Sequence, residues 1–200
     1  MDILSIFPFL SFLYLIASVA SRVVLLRKKG VVISAQNKKE QLKLLLLYPV
    51  FALLFLIWLT ELTKPLFQFS WSVLPEFLTK IQMKHNILNN IGVTLIITAL
   101  VLWSFTLVHF RHSLRFGLSN NNQGQLITKG VFSFSRNPFF LSIDLYFAGL
   151  ALFFPSIFFL VMALLTLVSI HFFILKEEKF LEKYYGKTYL DYKKKVRRYF

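Results

Sequence analysis

The chain has no cysteine, which excludes a disulfide framework, thiolate metal sites, covalent c-type haem attachment and a cysteine nucleophile. Acidic residues are scarce, 9 against 23 lysines and arginines. A formal charge of +14 would point to nucleic acid in a polar protein, but 56% of the 200 residues are hydrophobic, above the roughly 45–50% apolar share of soluble domains. The basic excess therefore suits a membrane surface, with anionic inner-leaflet lipids rather than nucleic acid as its partner. The sequence also lacks a Gly-rich phosphate loop, a Gly-x-Ser-x-Gly elbow, internal repeats and low-complexity tracts. Its length limits it to a single domain, 1–200.

What is abundant is hydrocarbon. Five stretches, 3–20, 44–60, 89–109, 138–154 and 156–175, can cross roughly 30 Å of bilayer core as helices. The second and fourth are short. Only Pro155 and Ser156 separate the last two, so these read as a helical hairpin broken by the proline. Residues 1–20 have no basic group before their apolar run and read as a first span rather than a secretory signal. The expected fold is all-α: a polytopic membrane bundle of about five helices, with a C-terminal hairpin and a cytoplasmic amphipathic tail. Residues 1–110 supply the N-terminal spans, and 111–200 the loop, hairpin and tail.

Lysine and arginine counts orient the bundle, because positive charge is retained on the cytoplasmic side. Segments 21–43, 110–137 and 176–200 hold seven, four and nine, against three in 61–88. The N-terminus is thus expected outside and the C-terminus in the cytoplasm, with 61–88 an interfacial loop or short helix on the outer leaflet.

The polar residues that need explaining lie on the inner side. Ser135-Arg136-Asn137-Pro138-Phe139-Phe140 opens the fourth span. Asn137 is a good N-cap and Pro138 a good first helical residue, so the helix start forms an anion site, and Arg136 adds a fork suited to a carboxylate. Lys176-Glu177-Glu178-Lys179 lies at the other end of the hairpin. A turn centred near residue 157 puts Arg136 level with Glu178, and Asp144 level with His171. Asp144 lies about 9 Å inside the membrane, where a carboxylate needs a partner or a function, and His171 is the expected partner. An anion site, an acidic pair and flanking aromatics including Phe139, Phe140, Phe172 and Phe173 fit a zwitterionic amino-acid derivative with a flat or cationic portion. His109 and His112 share a helical face but lack a nearby carboxylate, so no metal site is expected.

From Ser113 onward the sequence resembles the membrane methyltransferases related to isoprenylcysteine carboxyl methyltransferase and phospholipid methyltransferases. The resemblance rests on Ser113-Leu114-Arg115-Phe116-Gly117, on the run from Leu126 to Pro138, and on Glu177-Glu178 followed by Leu181, Tyr185-Gly186, Tyr189, Tyr192 and Val196-x-Arg198. Asn137 stands where one variant of the family pattern has His, Phe140 where Tyr is usual, and Ser142 where Gly is common.

The resemblance implies S-adenosylmethionine as methyl donor. Its carboxylate would meet Arg136, Asn137 and Pro138, with Phe140 beside them, its ammonium would meet Glu177 or Glu178, and its adenine would lodge near Tyr185 and Tyr189. The acceptor would be a lipid or lipidated substrate, with an isoprenylcysteine-like or other lipidic carboxylate expected first and an ethanolamine phospholipid amine second. A carboxylate acceptor needs no base; an amine must lose a proton, and Asp144, His171 or a Glu could take it. Arg115 and Arg111 could hold an anionic headgroup or a terminal carboxylate. An NADPH-dependent membrane reductase and a non-catalytic membrane protein are the alternatives. The tail places Leu181, Tyr185, Tyr189, Tyr192, Val196 and Tyr199 three or four apart among lysines, a pattern suited to a helix lying on anionic lipid or, from the resemblance, to a lid over the donor.

Overall fold

The computed structural model describes residues 3–29, 38–68, 71–82, 86–110 and 126–200. The described residues are helical: α1 (Ile3–Lys28), α2 (Lys38–Phe67), α3 (Glu76–Thr79), α4 (Asn86–His109), a 3-10 turn (Gly130–Ser133), α5 (Pro138–Phe153), α6 (Ile157–Tyr185) and α7 (Lys187–Lys195). The expected all-α membrane bundle is the one observed. Four segments are long and apolar enough to cross a membrane: Ile6–Lys28, Pro49–Phe67, Asn86–His109 and Ile157–Tyr185. α5 is apolar but has only 16 residues, about 24 Å at 1.5 Å per residue, so the fourth expected span is a shorter helix packed beside longer ones. Helix limits differ from hydropathy limits elsewhere. α1 runs eight residues past 20 and α6 ten past 175, because the charged residues that end the apolar stretches are themselves good helix formers.

Close backbone approach holds the centre together. At the α4–α5 crossing a Cβ on Gly92 would lie 2.8 Å from the Gly149 carbonyl oxygen, and one on Gly149 would lie 2.9 Å from the Gly92 carbonyl oxygen. Only glycine permits that contact. Around it Trp58, Ile96, Ala99, Tyr146, Leu150, Phe153 and Phe159 form a buried core. A second cluster, Leu26, Trp103 and Leu107 with Phe110, Phe139 and Ile143 against it, lies nearer the start of α5. α1 is tied in by polar contacts: Trp103 Nε1 donates to Ser18 Oγ at 2.8 Å, and the Tyr146 hydroxyl to the Pro8 carbonyl at 3.2 Å.

The hairpin turns through Phe154, Pro155 and Ser156, and Ser156 Oγ accepts from Phe159 N at 3.4 Å to cap α6. The 71–82 segment carrying α3 sits at this turn, with Gln82 N donating to the Pro155 carbonyl at 2.9 Å. The other end of the hairpin is thereby left for the start of α5, the end of α6 and the tail. Gly186 separates α6 from α7 at φ +54°, a left-handed conformation that costs other residues more. The residues beyond α7 turn back along the hairpin as an extended strap.

Candidate functional site

The register read from the two-residue hairpin turn brings opposite charges together. Arg136, just before α5, and Glu178, on α6, form a buried ion pair with Nη2 to Oε1 at 2.7 Å, their side chains 7% and 4% exposed. Arg198 of the strap completes the cluster, Nε donating to Glu178 Oε1 at 3.2 Å and Nη2 to Oε2 at 2.9 Å. Both Glu178 oxygens are thus held by guanidinium groups, which keep this carboxylate charged in the interior. The same bonds push the Arg198 guanidinium still further toward its charged form. Sequence reasoning placed Arg198 in a motif without assigning it a contact; the path by which the strap returns to the hairpin leaves no periodic signal.

The Ser135-Arg136-Asn137 turn is occupied by the strap's main chain. Arg136 Nη1 donates to the carbonyls of Val196 at 2.6 Å and Lys193 at 3.0 Å, and Arg136 N to the Arg197 carbonyl at 3.0 Å. Ser135 Oγ and Asn137 Nδ2 both donate to the Arg198 carbonyl, at 3.1 and 3.2 Å. Asn137 therefore holds the N-cap position and Pro138 the first helical position as expected, but the Asn137 side chain makes no cap bond. Its amide is committed to the strap instead. Just upstream, Gly130 has φ +68°, and a Cβ there would fall 2.1 Å from the His109 ring, so α4 ends directly against the 3-10 turn.

Glu177 differs from its neighbour. It is half-buried and forms no ion pair or hydrogen bond with a described residue. Phe140 is half-buried between Phe139, ring centroids 5.6 Å apart, and Phe173, 5.3 Å apart. Of the tail tyrosines, Tyr189 is only 1% exposed, packed against Tyr192, whose hydroxyl donates to the Phe132 carbonyl at 2.6 Å. Burial raises both phenols above their ordinary pKa. Tyr185 is half-buried and its ring meets that of Tyr184 at 4.9 Å. A flat group could reach Tyr185 more readily than Tyr189, whose faces are already covered.

The second pair in the register does not close. His171 Nδ1 shares a hydrogen bond with the Tyr199 hydroxyl at 2.8 Å, while Asp144 Oδ1 is buried without a hydrogen-bond partner. The returning strap supplies the phenol that takes the place expected for the carboxylate. Asp144 remains close enough to act on it: burial first, and then the Asp144 charge, raise the Tyr199 pKa. Asp144, His171 and Tyr199 form a polar island deeper in the hairpin than the Arg136 cluster.

Arg115 and Arg111, the run Ser113 to Gly117, and His85 and His112 lie outside the described residues. No group of three or more potential metal ligands occurs among the described residues. His109 instead engages the Phe105 carbonyl at 2.7 Å.

A model of the phospholipid methyltransferase family matches residues 87–188, just over half of the chain, from the start of α4 to the start of α7. No curated protein and no solved structure matches the chain significantly.

Proposed function

The chain belongs to the phospholipid methyltransferase family, and on that premise we propose that it uses S-adenosylmethionine to methylate a lipid-embedded acceptor at the cytoplasmic end of the α5–α6 hairpin. The observation that carries this reading is the meeting of opposite charges at the hairpin tips: Arg136 paired with Glu178 at 2.7 Å, with Glu177, which pairs with no described residue, beside them. A guanidinium and a carboxylate held by two packed helices suit the carboxylate and ammonium of an amino-acid end. In this reading Arg136 and the turn through Asn137 and Pro138 hold the donor carboxylate, Glu177 offers a carboxyl group to the ammonium, and Phe140 and Tyr185 wall the flat portion. The buried Tyr189 supports that wall from behind. The orientation comes from the charge asymmetry of the connections, which places the tail against anionic lipid.

The donor supplies a methyl group on a sulfonium sulfur, a reaction that needs in-line positioning and exclusion of water more than it needs acid or base. This chain's residues would fix one partner at the polar tips while the lipid-facing sides of the hairpin leave the acceptor's hydrocarbon in the bilayer. The acceptor we favour is a phospholipid amine. The unpartnered Asp144 oxygen would attract an ammonium headgroup and repel a carboxylate, and Asp144 or the neighbouring His171 would receive the proton an amine must lose before it attacks. A lipidic carboxylate, such as that of an isoprenylcysteine, is the second reading; it is favoured by Arg115 and Arg111 in the sequence and needs no base.

The test is purified protein in detergent, given methyl-labelled S-adenosylmethionine and a total lipid extract, with the labelled product identified. Label in methylated ethanolamine lipid supports the amine reading and label in a base-labile methyl ester the carboxylate reading. Label in neither, with intact folded protein, contradicts the proposal.

A further inference from the structure

We propose that the C-terminal strap, residues 196–199, is an intramolecular stand-in for the amino-acid end of the methyl donor, and that it must leave the hairpin tips before the donor binds. The inference rests on the donor reading above. Its first support is chemical mimicry. The strap presents a cation to an acidic residue, Arg198 to Glu178 at 2.9 Å, and an oxygen acceptor to the guanidinium of Arg136, the Val196 carbonyl at 2.6 Å, beside the α7 carbonyl of Lys193 at 3.0 Å. A zwitterion with an ammonium and a carboxylate would present the same two kinds of group to the same two side chains.

The second support is how the strap is fastened. Its residues are exposed or half-buried, so no apolar side chain is sealed into the core, and apart from the Tyr199 ring stacked on His171 at 6.2 Å its contacts with the hairpin are polar. α7 ends at Lys195, and Val196 is already extended at φ −123°. Detachment would therefore break the Arg198–Glu178 ion pair and hydrogen bonds, groups that water or a donor can take up, without unwinding a helix or opening the core, so the strap belongs among the segments that open locally.

The third support is charge. With the strap docked, Arg136 and Arg198 both face Glu178. Withdrawing Arg198 removes one of these two positive charges, which suits a donor whose sulfonium and ammonium outweigh its carboxylate. It also frees Glu178 Oε2 and the Arg136 Nη1 hydrogen given to the Val196 carbonyl, so the released site gains both a carboxylate oxygen and a guanidinium hydrogen to offer. The Tyr199 bond to His171 fixes the strap's far end, which makes the polar island a second anchor of the docked state.

The chain has no cysteine, and Phe200 is 75% exposed, so Phe200→Cys in the full-length protein accepts a single nitroxide label beside the strap. Titration with S-adenosylmethionine should sharpen the label's spectrum with the same half-saturation as binding of radiolabelled donor. Arg198→Gln should bind donor about tenfold more tightly, the gain expected if roughly nine molecules in ten hold the strap docked, and Arg198→Lys should return affinity toward that of the parent. Donor binding that leaves the label unmoved or immobilises it, or weaker binding by a well-folded Arg198→Gln, overturns the strap's role while leaving the donor reading intact. If Arg198→Gln fails to fold, the label on the Arg198-intact protein decides alone. Donor that binds neither form sinks the donor reading and, with it, the strap as its mimic.

Discussion

The two ends of the α5–α6 hairpin are built on opposite principles. Toward the turn, α5 lies against α4 through backbone contact at Gly92 and Gly149 and a core of large apolar side chains. At the other end, α5 meets α6 and the strap through a buried charge cluster and main-chain carbonyls. Apolar close packing is non-directional and tolerates no vacancy, whereas charged groups gathered at low dielectric are costly unless every partner is present. The first end suits a fixed scaffold. The second suits a place where a zwitterion exchanges with protein groups of the same chemistry.

The comparison breaks most visibly at Glu178. Replacing it with alanine leaves Arg136 and Arg198 facing each other without their counter-ion, and should cost about 3–5 kcal/mol of stability, read as a large fall in detergent thermal midpoint. Next is Gly149→Val, which forces side-chain atoms against the α4 backbone. Overpacking should cost about 1–3 kcal/mol, yet donor affinity measured well below the midpoint should stay that of the parent, because the tips are untouched. Smaller still is Ser156→Ala, which removes the α6 cap at the turn for about 1 kcal/mol and should likewise leave donor affinity alone. Gly186→Ala sharpens the contrast from the other side. It strains a φ of +54° by about 1–2 kcal/mol, and because α7 carries the strap, hydrogen exchange should rise in 187–199 while the α4–α5 core keeps its protection.

Much of this was legible in the sequence, for identifiable reasons. A hairpin whose turn is no more than Phe154, Pro155 and Ser156 allows little slack, so the level of Arg136 with Glu178 follows from residue counting. The same counting misplaces Asp144 and His171 as a pair, because it cannot see that the chain returns after α7 and inserts Tyr199 beside His171. Hydropathy finds where hydrocarbon ends, which is why it stops α6 at 175 although Lys176 to Tyr185 remain helical. Asn137 has cap chemistry in any sequence reading; only the strap, offering the Arg198 carbonyl, diverts its amide. The Gly92–Gly149 crossing was also beyond reach, since two glycines 57 residues apart signal contact only once α4 and α5 are seen to cross.

The central claim is that the hairpin tips grip the amino-acid end of a methyl donor, and Glu177→Gln probes it most directly. The substitution removes a carboxyl group that forms no ion pair or hydrogen bond with a described residue. Equilibrium binding of radiolabelled S-adenosylmethionine should weaken by about 10- to 100-fold, the worth of one charged hydrogen bond, while the thermal midpoint stays unchanged. Parental affinity in this folded variant would contradict the account.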